Sequence, residues 1–364
     1  MIKGFIGALI SAIVLFAAGG ITVVLFGRNE PNITAYVESV DYSTQGGSVH
    51  DSVTGEKTWH FGSMELGAVR IHSSNVKTFI APSEDGSLSI TAQTDGWKSI
   101  EVDLEVDGYW LDLTVSGGWF GGSVSFGGDN GTVLVYLPDR LYDELTLELG
   151  SGKLEARGLA ARVNVLDIGS GTFEFEQKAG FSSDTLNLHL GSGSVKMTNA
   201  ATAEYNISMG SGSFVITGLD GQGLIDIGSG KGEVKYTEVV GYNTFDLGSG
   251  SLDVYIPEDT RAEVCADIGS GSITVDCCGV RERLSDDSRV SLNGGSGDET
   301  MLNCDLGSGK IEFRNASDFG EPDMFGDFPE WSEFYAGIAT IDDMTVTGDT
   351  LQQATSFSSV TTAF

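Results

Sequence analysis

The chain has 364 residues, including 51 glycines but only 6 prolines, and its 52 acidic residues outnumber 20 basic ones. Its length is sufficient for a large buried core, and glycine without a Gly-X-Y period indicates frequent turns rather than a collagen-like helix. The formal net charge of -32, which no lysine or arginine cluster offsets, argues against nucleic-acid binding. The same charge favours cationic partners or bridging divalent cations.

The N-terminal run 4–27 contains no charged residue. At about 1.5 Å per residue it is long enough to cross a hydrocarbon core of about 30 Å. The sequence therefore predicts a transmembrane helix, with residues 1–28 as a membrane anchor. A cleaved signal peptide is the alternative, because Ala17-Ala18-Gly19 supplies small residues, although the apolar run continues beyond them. Lys3 and the terminal amine favour a cytoplasmic N-terminus, with the bulk of the chain outside the cytoplasm.

Residues 29–60 are expected to form a connecting stalk with local strands. Residues 61–144 are expected to form the irregular first coils of a repeat architecture, because short segments such as 64–71 and 86–92 alternate between apolar and polar side chains.

A regular repeat is expected over residues 145–315, where the tripeptide Gly-Ser-Gly recurs about every twenty residues. The residue before each tripeptide is apolar, and so, with few exceptions, are the residues that alternate with it on both sides. This period of two indicates two strands per repeat, each with one buried face. The sequence therefore predicts an all-β protein, a parallel β-solenoid (β-helix) of stacked coils. The first glycines of the tripeptides are Gly150, Gly169, Gly191, Gly210, Gly228, Gly248, Gly269 and Gly307.

The turn glycines are expected to adopt positive φ angles and to pack closely on the neighbouring coil. The wide spacing between Gly269 and Gly307 is interpreted as two repeats with one turn motif missing. A further tripeptide at Gly295 lacks the apolar residue before it, so it is assigned to a hairpin inserted after Cys278.

The four cysteines lie in the last third of the chain and form no CxxC pair, so a zinc-thiolate site is not expected. Cys277 and Cys304 have the apolar parity of their strands and are predicted to face the core. A disulfide between them is possible if neighbouring coils align them. Cys265 and Cys278 have outward parity and form an alternative pair. The acidic, aromatic tail 316–364 is expected either to cap the solenoid or to be disordered.

The segments 137–159, 71–93 and 267–276, together with WFGGSVSF followed by VLVYLP, resemble the bacterial toast-rack family, also called the putative-adhesin family. The resemblance covers about residues 64–313. It implies an extracytoplasmic β-solenoid linked to the membrane, in some relatives near envelope-stress signalling genes. It implies no catalytic residue.

No catalytic site is predicted, because the four histidines are scattered and lie in no metalloprotease or nucleophile-elbow motif. The predicted function is a membrane-anchored, non-catalytic scaffold or binding module for a protein or glycan surface partner, with a possible link to envelope-stress sensing. The alternatives are an adhesin for a host or neighbouring-cell surface, and a polysaccharide-active enzyme.

One outward-facing position of the repeat is mostly acidic, and stacked coils would place its carboxylates about 4.8 Å apart. Two interpretations account for this column: each Asp accepts hydrogen bonds from the N–H groups of the following turn, or Asp226, Asp246 and Asp267 bind Ca²⁺. The column consists of Glu148, Asp167, His189, Ser208, Asp226, Asp246, Asp267 and Asp305.

Overall fold

The fold is known from a computed structural model that describes residues 11–17, 20–26, 37–42, 47–94, 98–119, 131–295 and 300–320. These residues form β-strands joined by turns, with a short 3-10 helix at Ala316–Asp318. The tail beyond residue 320 lies outside the described residues, so its expected role as a cap stays a prediction.

The N-terminal apolar run contains strands β1 (Ser11–Ala17) and β2 (Gly20–Phe26), which pair antiparallel. This differs from the transmembrane helix predicted over 4–27. Much of the run consists of isoleucine and valine, which favour strands, and Gly20 stands at the closed end of the pair, opposite Ala17. Among the described residues, no helix is both long enough and apolar enough to cross a membrane.

The other strands belong to two sheets. In chain order they are β3 (Val37–Tyr42), β4 (Gly47–Val53), β5 (Glu56–Ser63), β6 (Ala68–Ser74), β7 (Val76–Ser83), β8 (Ser87–Gln93), β9 (Lys98–Val106), β10 (Trp110–Trp119), β11 (Thr132–Pro138), β12 (Leu141–Leu149), β13 (Gly152–Ile168), β14 (Thr172–Gln177), β15 (Ser183–Leu190), β16 (Ser194–Thr198), β17 (Thr202–Met209), β18 (Ser213–Leu219), β19 (Gln222–Ile227), β20 (Lys231–Tyr236), β21 (Gly241–Leu247), β22 (Ser251–Ile256), β23 (Ala262–Ile268), β24 (Ser272–Cys277), β25 (Val280–Leu284), β26 (Arg289–Leu292), β27 (Thr300–Leu306) and β28 (Lys310–Asn315).

Each coil of the repeat contributes one strand to each sheet, and β13 is long enough to run through both. The spatial order in sheet 1 is β3, β5, β8, β11, β7, β13, β14, β16, β18, β20, β22, β28, β24 and β25. The order in sheet 2 is β4, β9, β10, β6, β12, β13, β15, β17, β19, β21, β27, β23 and β26.

Neighbouring strands are parallel throughout the middle of both sheets and antiparallel only near the ends, which confirms the predicted all-β, solenoid-like fold. The alternating apolar residues of the two sheets form one continuous buried core. Gly232 is the exception to the apolar pattern, and the ring of Phe214 from the adjacent coil occupies the space where its side chain would be.

Consecutive Gly-Ser-Gly turns contact one another through their backbones. In a typical turn, the Gly228 N–H donates to the Met209 carbonyl and the Ser229 N–H donates to the Gly210 carbonyl, each at 2.8 Å. A Cβ added at Gly228 would lie 2.8 Å from the Gly210 oxygen, which is too close for any side chain. The predicted close packing is therefore found, but positive φ is not general: among these turn glycines only Gly152 has it, at 100°.

The order of the coils at the C-terminal end differs from the order of the sequence. The strand pair β27 and β28 lies between β21/β22 and β23/β24, so the Gly307 turn packs between those of Gly248 and Gly269. The interpretation of a missing turn motif between Gly269 and Gly307 is therefore wrong. The chain instead adds the antiparallel end strands β25 and β26 and then returns to fill a gap one coil wide.

A similar intercalation occurs near the N-terminal end, where β6 and β7 lie between β10/β11 and β12/β13.

The stalk expected over residues 29–60 also differs from the structure. Strands β4 and β5 pair with β9 and β8 in the two sheets, because Trp59 and Phe61 are apolar residues at alternate positions that the core buries.

Replacing Gly250 by alanine tests the close contact between turns. The new Cβ would lie 2.6 Å from the Gly230 oxygen and 3.2 Å from the Gly230 nitrogen, so backbone would have to move. We expect a loss of about 1–3 kcal/mol in the free energy of unfolding, measured by denaturant titration. Gly62→Ala is the control, because open space surrounds that position and its φ is not positive. Equal stability of the two variants would contradict this role of the turn glycines.

Candidate binding face

The outward face of sheet 2 carries one continuous column of polar side chains, which includes the acidic column seen in the sequence. Strand pairing places its members side by side in the order His50, Asp103, Thr114, His72, Glu148, Asp167, His189, Ser208, Asp226, Asp246, Asp305 and Asp267. The column thus joins three of the four histidines, which the sequence had shown as scattered. His50 and His72 join this column only because β4, β9, β10 and β6 pair in that order.

In the histidine-containing half of the column, which begins at His50 and includes His72, two carboxylates have local partners. His72 Nδ1 lies 3.2 Å from Glu148 Oε2, and Arg70 Nε lies 3.2 Å from the other oxygen of Glu148. His50 hydrogen-bonds to Asp103, and this bond raises the pKa of His50 above its usual value. Asp103 and Glu148 therefore each have a histidine beside them in this half of the column.

The other half of the column ends in a run of exposed carboxylates, Asp226, Asp246, Asp305 and Asp267. No ion pair to any of the four is found in the described ranges. The predicted hydrogen bonds from the turn are also not found there, because the N–H groups of the first glycine and the serine donate to carbonyls of the neighbouring coil. As far as the described residues go, water and dissolved ions therefore screen these carboxylates.

The structure does not bring Asp226, Asp246 and Asp267 together as a run of three neighbours, because Asp305 lies between Asp246 and Asp267. Within the part of the chain that the structure describes, no group of three or more His, Cys, Asp or Glu side chains is arranged to hold a metal ion. Calcium binding by this column stays a prediction.

The exposed aromatic residues Tyr109 and Trp110 lie at the start of β10, beside the histidine-containing half of the column. Their exposed fractions are 46% and 49%, and their rings meet edge to face with centroids 6.0 Å apart. Sequence reasoning missed this pair, although the Asp107-Gly108 dipeptide just before it is a recognisable hairpin-turn signal.

The aromatic pair is held rigidly by its surroundings. Asp107 Oδ1 accepts hydrogen bonds from the N–H groups of Tyr109 and Trp110 at 3.1 and 2.8 Å. The Tyr109 ring covers Gly67, where a Cβ would overlap it, and its hydroxyl donates to Asp143 Oδ2 at 2.6 Å. The Tyr109 ring is therefore exposed yet fixed in position, and the Trp110 ring meets it edge to face from a backbone that Asp107 holds; exposed aromatic residues in such preorganised positions often anchor binding partners.

A surface cavity of about 290 Å³ opens between β4, β9 and β10, next to this pair. Asp103, Glu105, Asp112 and His50 contribute its charged or titratable side chains. Trp110 and Asp112 have the same parity on β10, about 7 Å apart along the strand. Aromatic faces and carboxylates this close together suit an arginine or lysine side chain, through cation–π contact and ion pairing.

The outward face of sheet 1 differs, because its charges pair with one another within a strand or between neighbouring coils. Lys153 lies 3.0 Å from Glu155 and 3.3 Å from Glu174, and Lys231 lies 2.6 Å from Glu233. The excess negative charge of the repeats therefore lies mainly on sheet 2.

The four cysteines are free thiols. Cys277 and Cys304 are buried, as predicted, but Cys277 lies in β24 of sheet 1 and Cys304 in β27 of sheet 2, so the structure does not bring them together. Cys265 faces outward on β23, and Cys278 lies in the turn after β24, next to Cys277.

Comparison with known proteins gives one family match and several structural neighbours. A family profile described as Toastrack DUF4097 matches residues 67–312. A search of the curated proteins finds no match.

Three solved structures that match this chain share little sequence with it. The "putative cell adhesion protein" of Clostridium sporogenes is 16% identical, with a TM-score of 0.24, and the alignment covers 74% of this chain and 98% of that one. The "putative lipid binding protein" of Parabacteroides distasonis is 14% identical, with a TM-score of 0.40 and coverages of 76% and 99%. A "putative adhesin" of Bacteroides fragilis is 12% identical, with a TM-score of 0.26 and coverages of 76% and 100%.

Neutralising Asp246 should stabilise the protein, because this carboxylate lies between Asp226 and Asp305. Like charges about 4.8 Å apart repel by about 1 kcal/mol in water at low salt. We expect Asp246→Asn to raise the free energy of unfolding by about 0.5–1 kcal/mol at low ionic strength. Screening should abolish the gain at about 1 M salt, where the Debye length is about 3 Å.

Calcium titration tests the second interpretation of this column, because the turn hydrogen bonds that the first one requires are not found among the described residues. If the column binds Ca²⁺, millimolar Ca²⁺ raises the melting temperature of the wild type more than an equal ionic strength of NaCl does, and Asp246→Asn removes the difference. A wild type that responds equally to both salts would contradict calcium binding.

Proposed function

The match over residues 67–312 shows that the chain belongs to the Toastrack DUF4097 family, and we propose that it is a non-catalytic scaffold or binding module at the outer surface of a bacterial membrane. The observation that carries this proposal is the rigid aromatic pair, Tyr109 and Trp110, beside a cavity lined by carboxylates. We propose a basic protein segment as its partner.

Charge complementarity supports a basic partner. The chain has a formal net charge of -32, and most of the unpaired acidic residues described above lie on the same sheet as the aromatic pair. A field of this sign attracts cationic segments and increases the rate of their association. Tryptophan and tyrosine then supply the short-range contact, since both residues are enriched where interfaces gain most of their binding free energy.

The source of the partner separates two versions of this function. If the basic segment belongs to a protein of the same cell envelope, the module acts as a scaffold, and envelope-stress sensing is one such role. If the segment belongs to a host or neighbouring cell, the module is an adhesin. A photo-crosslinking residue at Asp112 in intact cells, with and without the second cell type, would identify which side supplies the partner.

The apolar run 4–27 supports membrane attachment, because an uncharged segment of this length is unfavourable on a surface exposed to water. We propose that this run attaches the chain to a bilayer, with the solenoid outside the cytoplasm. Protease added to intact, wall-stripped cells should then remove the solenoid. Complete protection of residues 131–295 until the membrane is permeabilised would contradict this topology.

Trp110→Ala should weaken binding of a basic segment by about tenfold or more, because tryptophan contacts at the centre of an interface contribute about 2 kcal/mol or more. The probe is a labelled synthetic peptide of alternating arginine and alanine, titrated with the full chain in detergent and followed by fluorescence anisotropy.

Tyr242→Ala is the matched control, since Tyr242 is 59% exposed on the same sheet but far along it from Trp110. An equal loss in both variants, or equal binding of an alternating glutamate and alanine peptide, would contradict a specific site at Trp110. Turnover of cell-wall glycans by the purified chain would contradict the non-catalytic role.

A further inference from the structure

The turn between β24 and β25 contains two adjacent cysteines in an unusual conformation. Cys277 pairs with Val280, so Cys278 and Gly279 form a two-residue turn, with φ angles of 54° and 76°. Both values are positive, as in a type I′ hairpin, where asparagine or aspartate normally precedes glycine.

Cys278 is exceptional within this chain as well. The other non-glycine residues with positive φ in the described ranges are all asparagine or aspartate, namely Asn75, Asn199, Asp287 and Asn293. Those side chains tolerate the left-handed region far better than cysteine does. Position 278 therefore carries a cysteine although its backbone conformation favours asparagine or aspartate, which indicates that the thiol itself has a role.

The two thiols are adjacent in the turn and interact with each other. The Cys277 thiol hydrogen-bonds to Cys278; this bond raises the pKa of Cys277 and lowers that of Cys278. Cys278 Sγ also lies 3.5 Å from the Pro257 carbonyl oxygen. Cys265 and Cys304 lie on neighbouring strands, β23 and β27, but on opposite faces, so they are poorly placed to pair with each other.

We propose that Cys277 and Cys278 are a redox-active dithiol that closes to a vicinal disulfide when it meets a thiol–disulfide oxidant. Cys278 is the more exposed of the two, at 9% against 2%, so its thiolate attacks one sulfur of the oxidant disulfide and releases one thiol. The Cys277 thiolate then attacks the Cys278 sulfur and releases the second thiol. Two electrons pass to the oxidant, and the two cysteine protons go to the released thiols.

The disulfide is expected to be readily reversible. Adjacent Cα atoms across a trans peptide are about 3.8 Å apart, whereas disulfides usually span about 4.4–6.8 Å. Closing this small ring therefore strains the peptide between the two residues, and strained disulfides are the more easily reduced. The Cys278 N–H donates to Asn315 Oδ1 at 2.9 Å, so ring closure would also disturb the end of the intercalated strand β28.

The test uses the folded full chain and oxidised glutathione, so it depends neither on the location of the protein nor on its surface partner. After oxidation, the protein is denatured, alkylated and digested. Of the four free thiols, we expect two to remain, on Cys265 and Cys304, and the peptide that contains Cys277 and Cys278 to be unalkylated and lighter by two hydrogens. Dilute dithiothreitol should restore all four.

Two variants control for folding and for pairing. Cys278→Asn places the preferred residue in the turn, so it should fold normally and keep all three remaining thiols after oxidation. Cys265→Ser should still form the disulfide and keep one thiol, on Cys304. Four free thiols in the oxidised wild type, or a disulfide that joins any other pair, would overturn the proposal.

Discussion

The close backbone contact between successive Gly-Ser-Gly turns is the constraint on which the rest of the structure depends. Buried backbone groups need hydrogen-bond partners, and at this corner the turn of one coil supplies them to the turn of the next. That arrangement requires the coils to approach more closely than any Cβ permits at the first and third positions of the turn. Because every coil meets its neighbour at the same residues, the register of both sheets follows, and outward side chains align in columns.

The alternation around the turns was enough to predict the strands, their buried faces and most of the core from the sequence. The order of the coils could not be predicted in the same way. The strands β27 and β28 carry the same local pattern as any other coil, so the sequence does not show that they pair with β21 and β22 on one side and with β23 and β24 on the other. Pairing between distant segments decides that order, and a repeat makes neighbouring coils locally interchangeable.

The candidate binding face was only partly visible in the sequence, for a related reason. The acidic positions of the repeat could be aligned on the tripeptide, but His50, Asp103 and His72 precede the repeat and join the column through the pairing of irregular strands. Tyr109 and Trp110 belong to no periodic pattern at all. Their importance comes from exposure combined with rigidity, which depends on Gly67 and Asp143, far from them in sequence.

The two outward faces show how one repeat can carry two different surfaces. On sheet 1, lysine and arginine occur beside acidic residues, and each coil pairs its charges with itself or with its neighbour. Between Asp226 and Asp267, sheet 2 has no such cations in its column, so its charge remains available to molecules in solution. Such a column weakens the fold through repulsion, and the fold tolerates it because backbone contacts at the turns, rather than side-chain pairs on the surface, hold the coils together.

The C-terminal end closes by intercalation, which makes its last described strands internal rather than terminal. Without β27 and β28, the strands β23 and β24 would face β21 and β22 across a gap one coil wide, and both sheets would expose unpaired edges. The antiparallel strands β25 and β26 cover the outer edges instead. The turn with Cys277 and Cys278 joins these two parts, since it begins the end strand β25 and hydrogen-bonds to Asn315 at the end of β28. A chemical change in that turn therefore acts on the segment that completes both sheets.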